Sequence, residues 1–390
     1  MSMIYLDNAA TSFPKPEEAY VFMDQFYRSH GVNPGRSGYD LCMETGQLVD
    51  DTRKQLTRFF NGTDPDRLVF SYNSTDALNL ALLGLLSKGD HAITTTIEHN
   101  SVLRPLHHLA QYHGVEVDHV PFDARGFVDP DAVAARFNAR TRVVAINHAS
   151  NVIGTVQPIA EIGRRCRERG IRLVVDASQT AGKIPIDVQA MHVDVLAFTG
   201  HKSLMGPTGI GGLYVQEGVE IRHTRAGGTG VRSAQRSHLD EYPWRLEYGT
   251  PNIMGIAGIH AGVEWIGRRG LAAIHAHEMR LMRRLVDGLR EIPGVSLYCQ
   301  DDLTDHIAVM AFNVDGFEAG NAGTILDVDY NIACRTGLHC APRVHEQLGL
   351  DKLHGAVRFG IGPFNTDDHI TTAIGAVRDV AATRAQKTRR

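Results

Sequence analysis

From about residue 66 the chain alternates short apolar, β-branched runs with stretches of helical periodicity. That alternation predicts a mainly parallel sheet covered by helices on both faces. The predicted strands are residues 67–70, 92–96, 142–147, 172–176, 193–198 and 211–215. Several are unbroken Val/Ile/Leu runs, the pattern of strands buried on both faces. Between two of them a helix opens at Pro158, carries Ile159, Ile162 and Cys166 at helical spacing, and closes at Gly170; proline suits a first turn and glycine ends one. Cys166 therefore reads as core. After Asn252 the chain is helical to about Glu291, then turns to short β-rich runs at 295–298, 307–314, 332–334 and 357–360. This predicts a smaller α+β part. No fixed-period repeat points to a solenoid or propeller.

A chain of 390 residues exceeds the size at which one core usually keeps growing, so a division is expected. It is drawn as an N-terminal arm (1–15), a large part (16–255) and a small C-terminal part (256–390). Hydrophobic residues make up 43% and charged residues 22% of the chain, as in an ordinary soluble, folded protein. A net charge of −4 gives no footprint for nucleic acid, and the basic tail at 383–390 is too short to alter that. A small-molecule partner is expected instead. The first thirteen residues, with Asp7 and Asn8 among them, lack a basic start followed by an apolar run and do not read as a signal peptide. No apolar run reaches membrane-spanning length. Cys42, Cys166, Cys299, Cys334 and Cys340 are scattered and odd in number, which argues against a disulfide framework and for a reducing compartment, by default the cytoplasm.

Polar residues gather just after the predicted strands, where open α/β sheets bind ligands. The first group, residues 71–76, includes Ser74 and Thr75 and precedes a helix predicted over 77–86. Its amides and hydroxyls suit an anion such as phosphate, although Asn73 or Ser74 could simply cap the helix. In the second group Asp176 ends an apolar strand and needs a cationic partner if buried. In the third, Thr199, His201 and Lys202 follow the next strand. A carboxylate and an amine at neighbouring strand ends are what a pyridine-aldehyde cofactor requires: an anion for the ring nitrogen and a Schiff-base amine. The glycines from Gly206 to Gly212 lack the spacing of a nucleotide loop, since Lys202 precedes them. The fourth group surrounds Cys340 in a turn-rich segment with Cys334, Arg335 and His339. Their spacing does not fit common zinc sites, so no metal is expected. Gly337 and Arg335 in the neighbourhood of Cys340 argue for an exposed, thiolate-forming cysteine, against the alternative of a small buried hydrophobe.

These residues resemble the class V aminotransferase-like enzymes of pyridoxal-phosphate (PLP) fold type I, and within them the cysteine desulfurase and selenocysteine lyase branch. The ordered motifs carrying the resemblance are Tyr5-Leu6-Asp7-Asn8-Ala9-Ala10-Thr11, Asn33-Pro34-Gly35-Arg36-Ser37-Gly38, Glu98-His99-Asn100-Ser101, Ser150-Asn151-Val152-Ile153-Gly154, Val175-Asp176-Ala177-Ser178-Gln179, Gly200-His201-Lys202, Gly249-Thr250-Pro251-Asn252 and Arg335-Thr336-Gly337-Leu338-His339-Cys340-Ala341. The fold implied is α/β, a large domain with a seven-stranded-type, mainly parallel sheet plus a smaller α+β C-terminal domain.

By that resemblance, Lys202 is the Schiff-base lysine, Asp176 the partner of the ring nitrogen, Gln179 the neighbour of the ring oxygen and His99 the stacking residue. Ser74, Thr75, Thr199 and His201 hold the phosphate, with Thr250 reaching it from the other subunit of a homodimer. Arg358 holds the substrate carboxylate, assisted by Asn151, and Arg335 joins the substrate side. Cys340, in a short ordered loop, takes sulfur from L-cysteine as a persulfide for a thiol or a sulfur-acceptor protein, as in iron–sulfur cluster assembly. L-selenocysteine as substrate, or another class V aminotransferase or lyase with Cys340 as bystander, are the alternatives. Cys334 departs from the family pattern and reads as packing in a short strand, with a second redox thiol as the alternative.

Overall fold

The computed structural model describes residues 3–34, 38–350 and 354–387, so Gly35, Arg36 and Ser37 of the second motif lie outside the described residues. A short strand β1 (Ile4–Tyr5) is followed by seven strands, β2 (Leu68–Ser71), β3 (His91–Thr95), β4 (Glu116–Val120), β5 (Thr141–Asn147), β6 (Arg172–Asp176), β7 (Val195–Thr199) and β8 (Gly211–Val215). These seven form one sheet in the order β2-β8-β7-β6-β5-β3-β4. The five strands from β7 to β4 run parallel, whereas β8 is antiparallel to both neighbours. The mainly parallel sheet predicted from the sequence is thus present. β5, β6 and β7 are almost wholly buried, because β-branched and apolar side chains fill both faces of a sheet covered on two sides.

Helices α1 (Glu17–His30), α2 (Asp40–Phe59), α3 (Ser74–Leu85), α4 (Asn100–His113), α5 (Pro130–Ala134), α6 (Ile159–Glu168) and α7 (Ile253–Arg269) accompany this sheet. Packing divides between its faces: Ile146, Val175 and Leu196 join Ile256, Ile259 and Val263 of α7 in one core, while Ala145, Val174 and Val195 join Leu78 and Leu82 of α3 in another. Cys166 is buried in the first, as its helical spacing predicts. α3 begins three residues before the predicted start because Asn73 caps it, its Oδ1 accepting from Asp76 N at 3.0 Å.

The helical stretch after Asn252 is two helices, α7 and α8 (Leu271–Arg290), separated by Gly270 at φ 84°. Beyond it, β9 (Val295–Tyr298), β10 (Val309–Val314), β12 (Arg335–Gly337) and β13 (Ala356–Gly360) form an antiparallel sheet in the order β12-β13-β10-β9. Helices α9 (Ala319–Tyr330), α10 (Pro342–Gln347) and α11 (Asp367–Lys387) complete this region. It has its own core, built from Leu281, Leu285, Phe312 and Phe359. The strand predicted at 332–334 is shorter, β11 (Ile332–Ala333), and pairs in parallel with β1. Cys334 follows it and packs against this second core.

Through β1 the N-terminal segment reaches both regions. Asp7 bridges to Gly360, and Thr11 Oγ1 donates to the carbonyl of His201 at 2.9 Å. The residue beside Lys202 is therefore held by a segment some 190 positions away. Among the described residues, no helix is long and apolar enough to cross a membrane.

Candidate active site

The carboxyl ends of five strands in the large sheet converge on one cavity of about 210 Å³. Each strand holds its last residue rigidly and releases the chain into a turn, so the first polar side chains after β2, β3, β5, β6 and β7 face a common space. From β2 come Ser74 and Thr75, at the N-terminus of α3; from β3, His99; from β5, Asn151. β6 ends in Asp176 and is followed by Gln179, while β7 ends in Thr199, before His201 and Lys202. The second sheet closes the space with Arg335 from β12 and Arg358 from β13.

Asp176 is 5% exposed. Its Oδ1 accepts from Ser178 N at 2.9 Å, Ser74 Oγ at 3.2 Å and Ser178 Oγ, so three donors offset the cost of burying it. Burial brings the Lys202 amine down to about 8, with Arg358 and Arg335 pushing the same way and Asp176 opposing them. The His99 imidazole falls to about 4, first through burial and then through Lys202, so it is neutral at physiological pH. Its Nδ1 accepts from Ser101 N at 3.0 Å and lies 2.7 Å from Ser101 Oγ, which lies 2.7 Å from Thr75 Oγ1. This chain fixes the ring against α4. His201 is also lowered to about 4, by burial and then by Lys202 and Lys15.

Arg358 is 1% exposed. Nη2 donates to Asp7 Oδ1 at 2.7 Å and Nη1 to the carbonyl of Asn151 at 2.9 Å, while its buried Nε has no protein acceptor. Asn151 donates through Nδ2 to the carbonyl of His339 at 2.7 Å.

Cys340 does not line the cavity; it is half-buried in the loop between β12 and α10. Arg335 Nη2 lies 3.2 Å from its sulfur, and its carbonyl accepts from Asn100 N at 2.7 Å, tying the cysteine loop to the His99 turn. Gln347 anchors the other end of α10, accepting from Thr96 Oγ1 at 2.6 Å and donating to the carbonyl of Phe122 at 2.5 Å. Thr250 stands apart from these residues. It is exposed and lines a wider groove of about 840 Å³ with Tyr248 and Asn252.

The cavity's chemistry fits an anionic pyridine aldehyde. An amine with lowered proton affinity, a hydrogen-bonded carboxylate and a neutral imidazole share one space with a helix N-terminus. Thr199 Oγ1 and His201 Nδ1 are buried without a protein partner, an arrangement a bound acceptor and donor would satisfy. Three predicted contacts are already engaged within the protein: Ser74 with Asp176, Thr75 with Ser101, and Gln179 Nε2 with the carbonyl of Ala9 at 2.9 Å.

The sequence motifs contain Glu98 and Asp7, but residue type alone assigned them no task. Glu98 is fully buried, with Oε1 accepting from Thr95 Oγ1 at 2.6 Å and Asn147 N at 3.1 Å. Burial raises its carboxyl to about 8. A glutamate ending the run before His99 was the available signal. His345, six positions after His339, stands outside the motifs and carries no local signal of a role.

A family model described as aminotransferase class-V matches residues 4–372, and the chain belongs to that family. Within it the similarity runs to the cysteine desulfurases. A probable cysteine desulfurase of Pyrococcus abyssi is 34% identical over 386 residues, 97% of this chain and 94% of that one. A cysteine desulfurase of Salmonella agona is 32% identical over 386 residues, 97% and 93% of the two chains. Among solved structures, an apo cysteine desulfurase from Thermococcus onnurineus superposes with a TM-score of 0.90 at 34% identity, covering 98% and 95%. A cysteine desulfurase from Escherichia coli, described with an S-sulfonic acid, gives a TM-score of 0.87 at 30% identity, covering 98% and 95%.

Proposed function

We propose that this protein is a PLP-dependent cysteine desulfurase that converts L-cysteine to L-alanine and leaves the sulfur on Cys340 as a persulfide. The observation that carries the reading is the convergence of Lys202, Asp176, His99 and Arg358 on one cavity, with Arg335 linking that cavity to the Cys340 sulfur.

In this reading Lys202 would hold the cofactor aldehyde through its amine, and Asp176 would keep the ring nitrogen protonated. His99 would stack on the ring and Gln179 would stand by its oxygen. Ser74, Thr75, Thr199 and His201 receive the phosphate at the N-terminus of α3, and Thr250 completes the partner's phosphate site in a symmetric dimer. When bound, the cofactor supplies an electron sink for negative charge developing at the substrate Cα.

Arg358 grips the substrate carboxylate with its free Nε edge, a task suited to a planar, permanently charged fork, and Asn151 assists. The Lys202 amine would take the Cα proton of the bound substrate; a proton affinity near 8 keeps a useful fraction of it unprotonated at neutral pH. The Cys340 thiolate attacks the substrate sulfur. The bond between substrate Cβ and sulfur breaks, a sulfur–sulfur bond forms, Cβ takes a proton, and the proton taken by Lys202 returns to Cα to give alanine. Arg335 stabilises the thiolate and then the terminal persulfide sulfur. A thiol or a sulfur-acceptor protein removes that sulfur in a reducing, cytoplasmic setting, consistent with five free cysteines. Selenocysteine offers the same bonds with a better leaving atom, and relative turnover of the two amino acids measures the preference.

The test is release of alanine and sulfide from L-cysteine with a thiol reductant, comparing wild type with Cys340→Ala. Equimolar products from wild type and none from the variant support the reading. Unchanged activity in the variant removes Cys340 from the chemistry, and a cofactor-bearing wild type inert to cysteine moves the assignment to another class V aminotransferase or lyase.

A further inference from the structure

The Cys340 loop carries a conformational cost that its own sequence does not relieve. His339 and Cys340 both have positive φ, 50° and 57°, in the left-handed region that side chains other than glycine seldom adopt. Such a conformation persists only when its surroundings hold it. Backbone bonds supply part of the hold: Ala341 N donates to the carbonyl of Leu338 at 2.8 Å, and Asn100 N to that of Cys340 at 2.7 Å.

Asn151 Nδ2 adds a bond to the carbonyl of His339, and a further part of the hold runs through two buried imidazoles. His339 is 2% exposed and His345, on α10, is 0% exposed. His339 Nε2 lies 3.3 Å from the carbonyl of Arg335, and its Nδ1 lies 3.3 Å from His345 Nε2. A carbonyl can only accept, so His339 Nε2 carries the proton in this contact. Burial, reinforced by Arg358 and His345, holds His339 well below the usual histidine range, leaving it neutral with a bare lone pair on Nδ1. His345 Nε2 must then donate. The chain consequently has one direction, from His345 on α10 through His339 to the backbone of Arg335, the residue whose guanidinium lies on the Cys340 sulfur.

We propose that His345 is a positioning residue for the nucleophile: its Nε2–H selects the His339 tautomer that binds the Arg335 carbonyl, closing loop 335–340 so that Arg335 reaches the Cys340 sulfur. This rests on Cys340 being the sulfur-accepting nucleophile of the proposed function. His345 is not itself among the residues that line the cavity, so its influence is expected on sulfur transfer and not on substrate capture.

The holoenzyme separates this role from mere packing through two polar variants and one apolar one. In His345→Gln the amide nitrogen stands near the position of Nε2 and can donate; in His345→Asn it stands nearer Nδ1 and cannot; His345→Phe fills the space without a donor. Bound-cofactor absorbance, kcat and KM for L-cysteine, and the rate of Cys340 alkylation by iodoacetamide are measured for each. The expected result is cofactor absorbance and KM within twofold of wild type throughout. In the Asn and Phe variants kcat falls at least tenfold and the alkylation rate changes at least threefold; Gln restores most of both. Equal kcat in Gln and Asn variants, or parallel loss of cofactor, KM and kcat in all three, overturns the proposal. Alkylation reports on the loop without turnover, so an enzyme in which Cys340→Ala stays active overturns the functional reading while the alkylation series still decides whether His345 positions the thiol.

Discussion

Arg358→Lys tests how the site captures its substrate, because the change keeps a cation and removes a fork. In the wild type two edges of the guanidinium are committed, Nη2 to Asp7 and Nη1 to the Asn151 carbonyl, and Nε alone is buried without a partner. A substrate carboxylate that satisfies Nε gains a charge-assisted hydrogen bond worth about 1.5–3 kcal/mol. A lysine ammonium can still pair with Asp7, so the carboxylate there is not stranded, but it cannot serve Asp7, Asn151 and a ligand in one plane. At 1.4 kcal/mol per factor of ten, we predict a KM for L-cysteine raised roughly ten- to a hundredfold. Neither the Lys202 nor the Cys340 position changes, so kcat stays within about threefold. Steady-state alanine release gives both constants, and cofactor absorbance shows whether the holoenzyme is intact. An unchanged KM refutes the reasoning, as does a loss confined to kcat.

Two further predictions concern groups outside the chemistry. Lys183 and Glu278 form an ion pair with side chains 2% and 1% exposed, so Glu278→Gln strands a buried ammonium and should cost about 3–5 kcal/mol in urea denaturation, while Lys183→Met/Glu278→Leu recovers most of it; a single variant within 1 kcal/mol of wild type contradicts this. Glu98 is held up to about 8 by burial, against an ordinary 4.5. The folded state then keeps a proton that the unfolded chain gives up, so this residue favours folding least as pH rises through that window. Glu98→Gln should flatten the decline, its thermal midpoint gaining on wild type between about pH 5 and 8; parallel curves contradict it.

What the chain discloses before folding depends on how locally each feature is determined. β5, β6 and β7 are legible as continuous apolar runs because each is buried on both faces. β4, with the sequence Glu-Val-Asp-His-Val, is not: it is an edge strand with partly exposed polar residues, and pairing with β3 makes it a strand. β1 and β11 are two residues each and exist only through each other. The same division holds at the site. Lys202 and Asp176 stand out because each is a charge ending an apolar run, and they do meet in the cavity. Asp7 and Arg358 are 351 positions apart, and no local pattern joins them. His345 gains meaning only when α10 folds back on the loop. Thr250 lies outside the cavity of its own chain, so nothing within a single chain brings it to the other predicted phosphate residues.

In the proposed reaction, sulfur rests on Cys340 between its removal from the substrate and its transfer to an acceptor. Holoenzyme incubated with one equivalent of L-cysteine and no reductant, then digested and analysed by mass, should carry one extra sulfur on the peptide containing Cys340, labile to reductant, with alanine formed in equal amount. Alanine formed with the sulfur elsewhere, on Cys334 or free as sulfide while Cys340 stays unmodified, would contradict the account.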